Sequence, residues 1–343
     1  QRGFGLETSA VWTIVIAIGF MLLVALVNIR GVGESVKANV VLTCVELSGL
    51  LLVIFVAVYA MSQGRADFSR VTVFETPEDK SIFLAVTTAT SLAFFAMVGF
   101  EDSVNMAEET REPTKTFPTM MLTGLSITGL IYVLVSMSAV ALVPPGELSK
   151  EGATPLLLVV QTGAPNLPIG AIFPFISMFA VANSALINML MASRLLYGMA
   201  REGVLPPVFG RVHQSRRTPW VAIIFTTLLA VGLITFVGQV SQLGGTTALL
   251  LLGVFTLVNV AVLVLRKDKV EHDHFTAPSW LPVIGALSCA YLVGPWTGRS
   301  TDQYWIAAVL IGIGVLLSVL MFLFNKSALF PYTTLFRSRK SVV

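Results

Sequence analysis

SIFLAVTTATSLAFFAMVGFEDSVNMAEETREPTKTFP, residues 81–118, decides the reading of this chain. Nothing ionises from Ile82 to Val98, as suits a helix in hydrocarbon. Gly99 then interrupts the run, Glu101 and Asp102 follow at once, and Val104, Met106 and Ala107 carry the apolar pattern on. A helix stopping at Val98 would hold about 17 residues, barely enough to span a bilayer. A charge in lipid costs roughly 3 kcal/mol on insertion scales, so intramembrane acids face cavities or partners and do work. A glycine break followed by carboxylates predicts a discontinuous membrane helix whose freed backbone groups bind a ligand.

The rest of the composition places the chain in a membrane. Of its 343 residues 55% are hydrophobic and 12% charged, where soluble domains carry about 25% charged residues. The net charge of +3 is small and dispersed, which gives no argument for nucleic acid. Cys44 and Cys289 both lie in apolar runs, so no disulfide framework is expected. Nine runs are long enough to span, near 10–28, 38–61, 82–105, 119–143, 168–197, 219–238, 243–265, 279–297 and 304–324. Loops on one side hold Arg30, Lys37, Arg111, Lys115, Arg194, Arg201, Arg211, Arg216, Arg217, Arg266, Lys267, Lys269 and Lys326. The other side holds Arg2, Arg65, Arg70, Lys80, Lys150 and Arg299. The excess of Lys and Arg puts the first set in the cytoplasm, with the C-terminus there too.

The expected organisation is one polytopic domain over residues 1–326. Leu329–Ser338 reads LFPYTTLFRS, which resembles the translation of a common sequencing-adapter oligonucleotide, so 327–343 is expected to be a non-native tail. The start at Gln1 suggests a fragment or a processed product.

FFAMVGFEDSVNMAEETREPTKTFP (Phe94–Pro118) and ASRLLYGMAREGVLPPVFGRV (Ala192–Val212) resemble the amino acid–polyamine–organocation family of permeases. Asn28–Val32 and Glu271–Phe275 add weaker likeness, and the resemblance runs from Trp12 to Asn325. It implies an all-α integral membrane fold of twelve helices, the first ten in two inverted five-helix repeats. The nine runs resemble helices four to twelve, so the chain is expected to be truncated at its N-terminus. The missing first helix carries, in that family, the glycine-rich break that holds a substrate carboxylate.

The resemblance also implies roles. Phe95, Ala96, Met97, Val98, Gly99 and Phe100 occupy the family's unwound stretch, where carbonyls accept from a substrate ammonium group. Phe95 stands where relatives place an aromatic gate; the alternative is an ordinary lipid- or core-facing ring. Glu101 matches the acid after the glycine break, and its apolar flanks suit a group that loads and unloads a proton. The alternative is a structural acid held by nearby backbone donors. Glu46, in VLTCVELSGLLLVIF, needs a partner or a cavity. Many relatives have a lysine there that substitutes for a bound sodium ion, and here the sign is reversed. Glu46 is therefore a proton-carrying acid, a cation ligand, or an acid buried against polar groups of another helix. Asn183 and Ser184 fall where relatives line the same pocket.

Other motifs carry less. Glu271-His272-Asp273-His274 reads as a solvated loop rather than a metal site, since only His213 could add to it. Gly312-Ile313-Gly314 lies inside an apolar helix without a nucleotide-binding context. There is no HExxH and no GxSxG, which argues against a membrane enzyme. The expected function is secondary transport of amino acids or related amines by alternating access. A proton, or else sodium, would drive it across the cell membrane, with no cofactor. A non-transporting sensor or partner subunit on the same fold is the alternative.

Overall fold

Long apolar segments without partners for their backbone groups become helices in a bilayer, because an intramolecular hydrogen bond is the one way to satisfy each N–H and C=O. The computed structural model describes residues 10–30, 35–73, 81–110, 112–150, 154–237, 240–267 and 275–324. Its helices are α1 (Ala10–Arg30), α2 (Ser35–Ser62), α3 (Ile82–Ala93), α4 (Pro113–Leu142), α5 (Pro145–Leu148) and α6 (Pro155–Gly163). They continue as α7 (Ile169–Arg201), α8 (Trp220–Phe236), α9 (Val240–Leu265), α10 (Trp280–Val293) and α11 (Thr301–Phe324). Among the described residues there is no strand.

Among the described residues seven segments are long and apolar enough to cross a membrane: Val11–Arg30, Asn39–Ser62, Ile82–Val104, Pro113–Leu142, Ile172–Arg201, Gln242–Leu265 and Thr301–Leu323. The runs expected near 219–238 and 279–297 form the shorter apolar helices α8 and α10. Prolines and glycines trim them. Pro219 precedes α8, while Gly294 and Pro295 end α10 in a short 3₁₀ turn over Pro295–Thr297. The adapter-like tail and the Glu271–His274 loop lie outside the described residues.

The chain divides into two compact units. One comprises Gln1–Thr13, Val32–Ile82 and Thr116–Ile187; the other comprises Ile14–Gly31, Phe83–Lys115 and Asn188–Val343. The core of the first gathers Val53, Val56, Ala57 and Ala60 of α2, with Val135, Ala139 and Leu142 of α4, Val159 and Val160 of α6 and Phe173 of α7. The sequence reading treats 144–167 as a loop between spans. Instead α6 forms, because PLLLVVQTG has a proline at its first helical turn and an apolar face to bury. Val159 and Val160 are fully buried. In the second unit α10 and α11 pack on α9. A smaller cluster there joins Ala200 of α7 to Leu205, Phe209 and Ala222.

Gly163 lets α6 close on its neighbours. A Cβ there would overlap the side chains of Val56 and Leu142. Val56 is β-branched and buried, so it has little room to turn away. Gly163→Ala is expected to destabilise the protein by roughly 1–3 kcal/mol, as overpacking does. A thermal melt of the purified protein in detergent checks this, and an unchanged midpoint would show that the contact yields freely.

Candidate substrate and coupling sites

The apolar helix α3 stops short. α3 holds 12 residues, about 18 Å at 1.5 Å per residue, against a hydrocarbon core of roughly 30 Å. A 3₁₀ turn follows over Phe94–Met97, then Val98 in extended conformation (φ −66°, ψ 139°). Gly99 has φ +121°, a region that side-chain-bearing residues rarely enter. From Phe100 to Glu109 the chain winds again, as a 3₁₀ helix. The interruption therefore starts at Phe94, five residues before the glycine that breaks the apolar run in the sequence.

Hydrogen bonds show what the break does. In a continuous α-helix the Gly99 N–H would return to the Phe95 carbonyl. Here the Phe95 oxygen takes the Val98 N–H (3.2 Å). The Gly99 N–H donates instead to Oε2 of Glu101 at 2.8 Å. Gly99 O accepts the Asp102 N–H at 3.2 Å and so starts the second helical half. A bond to an ionised acceptor is about twice as strong as a neutral one, which suits a carboxylate to hold an amide outside a helix.

Aromatic rings wall the break. Phe94 and Phe100 both meet Phe255 of α9, with centroids at 5.9 and 5.5 Å. Phe95 is 46% exposed. Its ring lies over Gly244 of α9, near enough that a Cβ there would come within 3.2 Å. Ala96 is exposed, and Met97, Val98, Gly99 and Glu101 are part-buried. These residues share one stretch of backbone in the second unit.

Glu46 and Asn183 meet in the first unit. The half-buried Glu46 on α2 lies within hydrogen-bonding reach of Asn183 on α7 and within electrostatic reach of Tyr132 on α4. Asn183 is 2% exposed. Its Nδ2 donates to Thr43 Oγ1 at 3.4 Å, while its Oδ1 has no partner among the described residues. Ser184, one residue on, is exposed. Thr43 is a member that the sequence reading missed. It lies three residues before Glu46 on α2 and so shares its face, which is the signal that could have found it. The grouping offers a carboxylate, a hydroxyl and a carboxamide oxygen. No cluster of three or more His, Cys, Asp or Glu residues that could hold a metal occurs among the described residues.

Arg299 lies in the turn between α10 and α11, where the sequence predicts a loop cation. It is 8% exposed, and its donors are directed at backbone and amide oxygens. Nε donates to Leu292 O (3.2 Å), Nη1 to Gly245 O (2.8 Å) and Gln303 Oε1 (3.4 Å), and Nη2 to Ser91 O (3.0 Å).

Comparison with known proteins gives this geometry a family. The chain is 28% identical over 324 residues to the methylthioribose transporter of Bacillus subtilis (strain 168), covering 91% of this chain and 65% of that protein. It is 26% identical over 331 residues to the branched-chain amino acid permease BcaP of the same organism, covering 94% and 65%. To the low-affinity putrescine importer PlaP of Escherichia coli (strain K12) it is 25% identical over 315 residues, covering 87% and 67%. The chain thus spans about two thirds of the length of these curated relatives. A family model described as amino acid permease matches residues 3–316, and the chain belongs to that family.

Proposed function

We propose that the protein is a secondary permease for amino acids or related amines, a transporter rather than an enzyme, working by alternating access around the break at Phe95–Phe100. One observation carries this reading: an otherwise apolar helix gives up its hydrogen-bond ladder at Val98–Gly99, beside a carboxylate and among aromatic rings. Such breaks in hydrocarbon are tolerated where the chain is buried in protein or lines a cavity, and in secondary transporters they hold substrate or ions. The names of the relatives, an amino acid permease and a putrescine importer among them, support an amino acid or an amine as cargo. Nine membrane-spanning helices in the inverted-repeat plan, a cell-membrane location and a cytoplasmic C-terminus are part of the same proposal. The excess of basic residues on one set of loops supports that orientation.

In this mechanism the substrate ammonium donates to carbonyls of the unwound stretch, and Phe95 closes over it. Two acids are candidates for coupling. Glu101, once protonated, loses its charge-assisted hold on the Gly99 N–H, so proton binding and the shape of the break are linked. Glu46, once protonated, gains a donor that the unpartnered Asn183 Oδ1 can accept. If Glu46 stays ionised, its carboxylate with Thr43 Oγ1 and Asn183 Oδ1 offers oxygen ligands to a small cation.

Three outcomes are expected of the full-length protein. Gly99→Ala forces a side chain to φ +121°, costing roughly 1–3 kcal/mol, so its melting midpoint in detergent should fall and uptake should be impaired; an unaltered melt would remove the strained glycine from the account. Glu101→Gln keeps an oxygen for the Gly99 N–H but cannot exchange a proton. It should slow uptake about tenfold or more, equivalent to about 1.4 kcal/mol, at unchanged membrane abundance; normal uptake would end the proton role. For Glu46, uptake in sodium-free medium decides. A rate independent of sodium that rises as external pH falls supports a protonatable acid, and strict sodium dependence supports ion ligation.

A further inference from the structure

Arg299 is a buried cation with no carboxylate within ion-pair distance among the described residues. A charge so placed must be met by dipoles, and the acceptors name them. Ser91 lies in the last turn of α3, and Leu292 in the last turn of α10. The last carbonyls of a helix lack intrahelical donors and carry the negative end of its dipole. The guanidinium thus bridges two helix C-termini and also reaches the Gly245 carbonyl of α9 and the Gln303 side chain of α11. Burial pulls its pKa down from the ordinary value, yet an arginine remains charged in proteins. Gly245 is needed for this closeness, since a Cβ there would overlap the Gln303 carboxamide. Neighbouring oxygens are also engaged: Tyr304 Oη donates to Val293 O at 2.7 Å, and Ser91, fully buried, donates its hydroxyl to Thr88 O at 2.8 Å.

The geometry points to Arg299 as a positioning residue for the substrate site: it clamps the C-terminal end of α3 to α9, α10 and α11, and so fixes the carbonyls of the break that begins three residues beyond Ser91. The assignment rests on the transport reading above. With the first half of the broken helix pinned, movement at the break falls to the segment after Val98–Gly99. Lysine is a poor substitute, because a compact ammonium with three donors cannot span the same four oxygens in the guanidinium plane.

The test is substrate uptake by the full-length protein in proteoliposomes, over a panel of neutral amino acids, cationic amino acids and polyamines. Alongside it, hydrogen–deuterium exchange is measured over the segment from Ser91 to Gly99. Arg299→Gln is expected to raise KM about tenfold or more while Vmax per transporter changes less than about twofold, the pattern of lost ground-state positioning. Amides of the segment should exchange faster, and Arg299→Lys should fall between. If Arg299→Gln does not accumulate, Arg299→Lys carries the same test, with KM raised and exchange quickened. A fall in Vmax with KM and exchange unchanged would overturn the inference, since that is what a role in folding alone produces. If the wild type moves no member of the panel, the transport reading falls. The exchange data then decide the clamp alone, and identical exchange in both proteins overturns it.

Discussion

An amide group lifted out of a helix in hydrocarbon must be given another acceptor, and most of this structure's interest follows from how that is done at Gly99. The acceptor is the carboxylate of Glu101, two residues on, at 2.8 Å. A neutral side chain could make the bond, but a carboxylate makes it about twice as strong. The glycine supplies φ +121° and the acid supplies the replacement bond. The aromatic rings of Phe94, Phe100 and Phe255 keep the rest of the interruption packed. In this geometry Glu101 holds a neighbouring backbone donor. Its proposed part in proton coupling uses the same bond rather than a second one.

Seven of the nine expected spans are legible among the described residues because an apolar run of about twenty residues has few other destinations. The exceptions are instructive. PLLLVVQTG is only 9 residues long, too short to read as a span, yet it buries Val159 and Val160 completely. Its apolar face looked like loop because length, not burial, was the criterion. Composition leaves the start of the break unmarked for a related reason. LAFFAM contains no residue that forbids an α-helix, so the sequence marks Gly99 and leaves the earlier unwinding at Phe94 unmarked.

Site residues divide in the same way. Side-chain pairs leave a trace: Thr43 and Glu46 are three apart on one helix, and Asn183 is a polar residue in an apolar run. The meeting of Thr43 and Asn183 across 140 residues is not in the pattern; the likeness to permeases implies Asn183 beside Glu46 and says nothing of Thr43. Arg299 left no trace at all. Its partners at Ser91, Gly245 and Leu292 are main-chain oxygens, which every residue has, so no spacing of residue types announces them.

The Arg299 bond to Ser91 joins positions 208 residues apart, and that interval has a meaning in time. During synthesis α3 enters the bilayer with the carbonyls of its last turn open. At about 5–20 residues per second, roughly 10–40 s pass before the arginine emerges. Thr218, whose hydroxyl donates to Ile29 O, leaves the end of α1 waiting across 189 residues in the same way. For that period the nascent chain depends on water, lipid headgroups or the insertion machinery to satisfy what the finished protein satisfies itself. Ribosome stalling before residue 299 would therefore leave a helix end exposed that no earlier part of the chain is built to cover.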